Sequence, residues 1–339
     1  MYQIKEVLLD KERELQIEFL QTHNLEYEYD IDYSILVYDG DEIIATGSIS
    51  NNIMKDFAVK KEYSGQNITG LMFKHLVQVL QSKNIYHFFV FTKPENEQIF
   101  LSLNMKRIVQ TMNTVLLEGG DTIDHVLGEL KKEYHLSDNK KACVIINANP
   151  MTKGHLYLVE KASKENEEVL VFVVSENLSS FPFEDRFNII KEATKDLENV
   201  TVLPTLNYLV SRVTFPRYFL KDETLISDEQ TLVDVLVYKQ YYTKIFNIKK
   251  RYVGTEPLSP TTNKYNKVMK DYLGTHLNIV DRIFEDKDVV SASLVRKLIR
   301  DNKISEIEKF VPKATFDYLL SEKGQRVIKE IQEKEFSRH

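Results

Sequence analysis

The stretch Val144-Ile145-Ile146-Asn147-Ala148-Asn149-Pro150-Met151-Thr152-Lys153-Gly154-His155 begins as a continuous apolar run and ends in a polar turn. Beyond it Leu156, Leu158, Val159 and Ala162 recur at helical spacing, so the segment reads as a strand that turns straight into a helix. The first turn of a helix has backbone N–H groups without intrahelical partners and carries the positive end of the helix dipole. An anion placed there is stabilised before any side chain acts. Gly154 removes a Cβ where a phosphate has to approach. Thr152 and His155, three residues apart, fall on one face and let a hydroxyl and an imidazole point at the same phosphate. Taken alone, the tetrad fits a plain capping threonine beside a solvated histidine better. Its place at the end of the first strand of a parallel sheet, where open α/β folds bind ligands, favours the phosphate reading.

Working outward, further β-rich runs follow at 169–174, 200–203, 251–254 and 277–280, most of them separated by helical stretches. Continuous apolar strands alternating with helices are what a parallel sheet covered on both faces requires. The expectation is an α/β fold: a Rossmann-like domain over 140–339, ending in consecutive helices from Ser291 onward. Pro312 should open one of these helices and Gly324 should separate two others. Ahead of it, apolar runs at 35–38, 43–45 and 88–91, a turn at Gly40-Asp41, and the helical periodicity of Leu71, Phe73, Leu76, Val77 and Leu80 predict an α+β domain over 1–135. The mostly polar segment 119–141 marks the boundary.

A chain of 339 residues accommodates two such cores, and 42% hydrophobic with 28% charged residues is an ordinary globular balance. A net charge of −6 argues against a broad nucleic-acid surface. The N-terminus reads as a charged helical pattern without a secretory signal, and no apolar run is long enough to span a membrane, so a cytoplasmic, membrane-free protein is expected. The single cysteine, Cys143, excludes an internal disulfide framework; within Ala142-Cys143-Val144-Ile145-Ile146 it reads as a small buried hydrophobe.

Far along the chain, Val289-Val290-Ser291-Ala292-Ser293-Leu294-Val295-Arg296 again passes from a strand-like end into a helix. Ser291 or Ser293 can cap it, and Arg296, within one turn, offers a planar, permanently charged fork. Two further stretches bear on the site. Tyr252-Val253-Gly254-Thr255-Glu256-Pro257-Leu258-Ser259-Pro260 reads as a strand ending in a tight loop, where Gly254 lets adenine or ribose approach the backbone, or as a turn only. Arg186, in Phe183-Glu184-Asp185-Arg186, either meets a phosphate or pairs with nearby carboxylates, the structural role being favoured.

Together the segments at 152–155 and 291–296 resemble the paired signatures of the nucleotidyltransferase superfamily, (H/T)-x-G-H after the first strand and I-S-x-x-x-R late in the fold, with Thr152 where many members have His. The resemblance implies in-line attack of an acceptor oxygen on the α-phosphorus of ATP, with pyrophosphate leaving. It implies that Thr152 and His155 stabilise the pentavalent α-phosphate and that Ser291, Ser293 and Arg296 hold the β and γ phosphates. Mg2+ is implied with the triphosphate, and no acidic cluster in the sequence identifies protein ligands for it.

Nearly the full length resembles the citrate lyase ligase family. The residues that carry this are Asn149-Pro150-Met151-Thr152-Lys153-Gly154-His155, Val253-Gly254-Thr255-Glu256-Pro257 and Val290-Ser291-Ala292-Ser293-Leu294-Val295-Arg296, with an acetyltransferase-like domain in front. That resemblance implies a nucleotide site including Asn149, Pro150, Gly154, Gly254, Ser291 and Ser293, with Thr152, His155 and Arg296 catalytic. It implies activation of acetate as acetyl-adenylate, then acetylation of the thiol of the CoA-like prosthetic group on the acyl-carrier (gamma) subunit of citrate lyase, giving AMP. The front domain resembles the GNAT acetyltransferase fold, whose pyrophosphate loop reads Arg/Gln-x-x-Gly-x-Gly/Ala. Here Ser64, Asn67 and Thr69 stand where that loop has Arg, Gly and Gly, which implies recognition of the CoA-like arm or the carrier rather than acetyl-CoA turnover, a purely structural role being close behind. Two other functions stay open: an adenylyltransferase acting on a phosphate acceptor such as a CoA or NAD precursor, and a regulatory module that binds ATP without turning it over.

Overall fold

The computed structural model describes residues 2–177, 179–210, 223–255, 260–285 and 288–336. They form two compact units, the first holding the described residues of 2–133 together with the helix at 223–237, the second holding those of 134–210 and 238–336.

In the first unit, β1 (Gln3–Glu6), β2 (Tyr33–Asp39), β3 (Glu42–Ser50), β4 (Ile53–Val59), β5 (Phe88–Thr92), β6 (Lys106–Gln110) and β7 (Val115–Gly119) build one sheet in the order β1-β2-β3-β4-β5-β7-β6. Helices α1 (Asp10–Thr22), α2 (Ile68–Ser82), α3 (Glu97–Ser102) and α4 (Ile123–Glu133) accompany it. Charged, mostly exposed Gln3–Glu6 is an edge strand antiparallel to β2 rather than the expected start of a helix; its backbone finds partners in the sheet, and the helix begins only at Asp10. The apolar face of α2, with Met72, Leu76 and Leu80 fully buried, packs on Ile35, Val37, Ile44 and Val90 of the sheet. The parallel pair β4–β5 meets over only two positions, Ile53 with Phe89 and Met54 with Val90. Beyond them a cavity of about 550 Å³ is lined by Phe57, Ala58 and Val59 on one side, Thr92 on another, and the loop from Tyr63 to Asn67 with the first turn of α2.

In the second unit, β8 (Lys141–Ile146), β9 (Val169–Val173) and β10 (Val200–Pro204) alternate with α5 (Lys153–Glu165) and α6 (Phe183–Ala193). The helix α7 (Glu223–Val237) then leaves for the first unit, where it packs on β6, and α8 (Thr243–Ile245), β11 (Ile248–Gly254), α9 (Pro260–Leu273) and β12 (Leu277–Val280) complete the sheet. Its order is β10-β9-β8-β11-β12, all parallel, so the chain winds to one side of β8 and then to the other. The switch falls at β8, and the crevice beyond its carboxyl end is where such sheets bind ligands. A short hairpin, β13 (Phe284–Glu285) and β14 (Asp288–Val289), leads into α10 (Ala292–Arg300), α11 (Ile304–Ile307), α12 (Lys313–Leu320) and α13 (Glu322–Phe336). These helices share a core around Phe181, Val295, Ile299, Phe310 and Leu319.

Pro312 caps α12 as expected, but Gly324 does not separate two helices: the break is at Ser321, and Gly324 lies in the first turn of α13. A methyl group there would sit 2.0 Å from the carbonyl oxygen of Tyr318, so close packing of the preceding turn, not helix termination, requires the glycine. Cys143 is buried, with its thiol pushed up to about 11 by burial. No helix among the described residues is long and apolar enough to cross a membrane.

α7 is held by Glu229, only 5% exposed, whose carboxylate accepts hydrogen bonds from the Thr111 hydroxyl and, at 2.9 Å, from Asn113 Nδ2 in the β6–β7 turn. Hydrogen bonds to a buried charged group are worth about 1.5–3 kcal/mol each. Glu229→Ala should therefore lower the melting temperature by several degrees and make the first unit the earlier target in limited proteolysis.

Candidate active site

The first strand-to-helix turn is built as a reciprocal cap. Thr152, in extended conformation, accepts a hydrogen bond on its side chain from the backbone N–H of His155, and His155 Nδ1 lies 3.1 Å from the backbone nitrogen of Thr152 and 2.9 Å from its hydroxyl oxygen. A backbone N–H can only donate, so Nδ1 is an acceptor and the neutral ring carries its proton on Nε2. Burial of the ring, and then the charge of Arg282, pull its pKa from 6.5 to about 4. At neutral pH His155 is thus an uncharged hydrogen-bond donor. Thr152 is 1% exposed, and its hydroxyl hydrogen is directed to Nδ1. The hydroxyl orients the imidazole, whereas the spacing alone had suggested that both groups point at one phosphate.

The second motif arrives beside the first. Ser291 rather than Ser293 caps α10, accepting from the backbone N–H of Leu294 at 3.2 Å. Arg296 Nη1 donates to the carbonyl oxygen of Asn149, and Nη2 lies 3.3 Å from Ser293 Oγ. A methyl group on Gly154 would meet the carbonyl oxygen of Val290 at 3.4 Å, so the starts of α5 and α10 are in contact. Two helix starts, each with the positive end of its dipole, therefore face one cavity of about 420 Å³. Of the residues expected in the site, Thr152, Gly154, His155, Gly254, Ser291 and Ser293 line it. Asn149, Pro150 and Arg296 are not among its lining residues; Arg296 and Asn149 are linked by the contact above, and the Asn149 side chain accepts from the backbone N–H of Phe181 at 3.0 Å. A methyl group on Gly254 would meet nothing within 4 Å, so the space above that backbone is open. Glu256 and Pro257 of the same motif lie outside the described residues.

Arg186 has a role that spacing did not reveal. Its side chain is fully buried, and it donates to the carbonyls of Phe181, Asn147, Val174 and Glu176 and to the Asn147 side-chain oxygen, at 2.8–3.0 Å. Its partners are carbonyls and an amide rather than the expected carboxylates; burial lowers its pKa to about 10. The cavity also holds Arg251, Tyr265, Asn266 and Arg282, none of which carried a local sequence signal. They meet only because β8, β11 and β12 are adjacent in the sheet.

Residues 141–319 match the family model described as the citrate lyase ligase C-terminal domain. A ligase of citrate (pro-3S)-lyase from Escherichia coli (strain K12) is 30% identical over 311 residues, covering 89% of this chain and 88% of its own, and one from Klebsiella pneumoniae is 31% identical over 325 residues, covering 93% and 95%. Among solved structures, the ribosomal-protein-S18-alanine N-acetyltransferase of Escherichia coli covers 36% of this chain and 96% of its own, with 11% identity and a TM-score of 0.30. The second unit has the open, doubly wound parallel-sheet architecture of the α/β class, with its cavity at the switch point. The chain belongs to the citrate lyase ligase family.

The tautomer is open to direct measurement. Long-range 1H–15N correlation spectra should show His155 protonated on Nε2 alone and unchanged between pH 8 and about 5.5. Since the folded ring has the lower pKa, the unfolded chain takes up the proton first, so this residue makes the fold less stable as the pH falls from 6.5 towards about 4. A ring that titrates near 6.5 would contradict the site as described.

Proposed function

We propose that this chain is an ATP-dependent ligase that activates acetate as acetyl-adenylate, releasing pyrophosphate, and then acetylates the thiol of the CoA-like prosthetic group on the acyl-carrier (gamma) subunit of citrate lyase, giving AMP. The observation that carries this reading is the meeting of two capped helix starts at one cavity, those of α5 and α10, in a chain of this family. The names of the curated relatives support the choice of citrate lyase as the target.

In the first half-reaction a carboxylate oxygen of acetate attacks the α-phosphorus of ATP in line, the bond to the bridging oxygen of pyrophosphate breaks, and a mixed anhydride forms. The protein positions the groups and neutralises charge. Nε2–H of His155 donates to the α-phosphoryl oxygen on which charge develops, and Thr152 holds the ring in that tautomer. Ser291, Ser293 and the N–H groups of the α10 start take the β and γ phosphates. Arg296 holds the Asn149-Pro150 turn and the Ser293 hydroxyl in place. Gly254 leaves room for the nucleoside. Mg2+ bound with the nucleotide would supply further charge neutralisation at its phosphates; among the described residues there is no group of three or more His, Cys, Asp and Glu side chains placed to hold one. In the second half-reaction the thiolate sulfur attacks the acetyl carbon and AMP leaves with the oxygen of the anhydride.

For the first unit we propose recognition of the CoA-like arm in the cavity beyond the β4–β5 contact. The loop there departs from the GNAT pattern at Asn67, yet Asn67 takes a left-handed φ of 58°, a conformation that asparagine shares with glycine, and Gly65 has φ 82°. A single cysteine fits a cytoplasmic protein.

Incubation with acetate, ATP, magnesium and the deacetylated carrier should give AMP and pyrophosphate; ADP and phosphate as the only nucleotide products would refute adenylyl transfer. His155→Ala should slow acetate-dependent exchange of pyrophosphate into ATP by about 10²–10³-fold, the usual loss for a donor aimed at transition-state charge, while ATP binding changes far less. An unchanged melting temperature in the same variant would assign the loss to chemistry.

A further inference from the structure

Formal positive charge is scarce where the triphosphate is proposed to lie. His155 is neutral, and each helix start contributes only about half a unit charge. Among the described residues lining the cavity, the side chains with a permanent positive charge are Arg251 and Arg282. Arg251 is 3% exposed, its guanidinium 4.6 Å from the ring centre of Tyr238 and 5.8 Å from that of Tyr265, so it belongs to the aromatic wall of the sheet. Arg282 differs. It follows β12 by two residues and is fastened twice to the loop after β11: its backbone N–H donates to Thr255 Oγ1 at 3.2 Å, and its Nε to the Thr255 carbonyl at 2.7 Å. That fixes the guanidinium at the cavity wall. Arg282 and His155 line the same cavity, and the arginine's charge adds to burial in lowering the basicity of the ring.

We propose that Arg282 is a further catalytic residue, its guanidinium contacting the α-phosphoryl oxygens alongside Nε2–H of His155. The proposal deepens the ligase reading and rests on it. The two groups divide the work: His155 supplies a directional hydrogen bond, and Arg282 supplies charge that the neutral ring lacks. Keeping His155 neutral follows from the same juxtaposition, since a cation beside the ring opposes its protonation.

The test uses the full chain with Arg282→Ala and Arg282→Lys. The alanine variant should bind ATP about tenfold more weakly by calorimetry and exchange pyrophosphate about a hundredfold more slowly, and lysine should restore at least part of both. The pKa of His155, followed by NMR without any turnover, should rise in the alanine variant and return with lysine, which reports that the arginine's charge faces the ring, while the ATP affinity and exchange rate report its contact with phosphate. ATP affinity within twofold and exchange within threefold of the parent would overturn the proposal. So would a loss that lysine does not relieve, or a His155 pKa that does not move. Failure of the parent chain to exchange pyrophosphate with acetate would instead overturn the ligase reading, while the binding and NMR results would still decide whether Arg282 stands over the phosphate site.

Discussion

Five oxygen atoms near the carboxyl ends of β8 and β9 converge on one guanidinium, that of Arg186. A parallel sheet leaves such acceptors wherever strands give way to loops, and burying them without donors would cost free energy at each. Arg186 satisfies the group at once and thereby fixes the path of the chain after Ile146, on which Asn147, Asn149 and the cap at Thr152 all depend. The opposite imbalance sits a few residues away. The starts of α5 and α10 each bring the positive end of a helix dipole, and it is there that the cavity opens. The unit answers its surplus acceptors from within and turns two positive helix ends to the cavity.

The joining of the two motifs has the same character. Arg296 was expected at a phosphate, yet its Nη1 is engaged with the Asn149 carbonyl across 147 positions of sequence. It makes the two helix starts one object, so a change at either end of the chain is felt at the other.

Much of this was readable from residue order. Every strand of the second sheet was foreseen, because interior parallel strands are uninterrupted apolar runs, and the turn from β8 into α5 was visible because a capping residue and a helical period follow at once. The readings that failed are those in which sequence-distant partners decide. Gln3–Glu6 is a strand because β2 offers it an edge, and Gly324 is required by the Tyr318 carbonyl. Arg282 could not be seen, since its relation to His155 exists only once β12 lies beside β11 and β11 beside β8. Arg186 was rightly given a structural role, but its partners are loop carbonyls, which leave no trace in composition.

The excursion of α7 has a consequence for synthesis. The sheet of the first unit is complete by Gly119, yet the helix that packs on its outermost strand lies at 223–237, about a hundred residues beyond the end of α4. At translation rates of about 5–20 residues per second, the ribosome needs roughly 5–20 seconds to deliver it. During that interval β6 is an uncovered strand edge of the kind that pairs with foreign strands, while half of the second sheet is already emerging. The first unit to be made is thus the one that waits for its last helix.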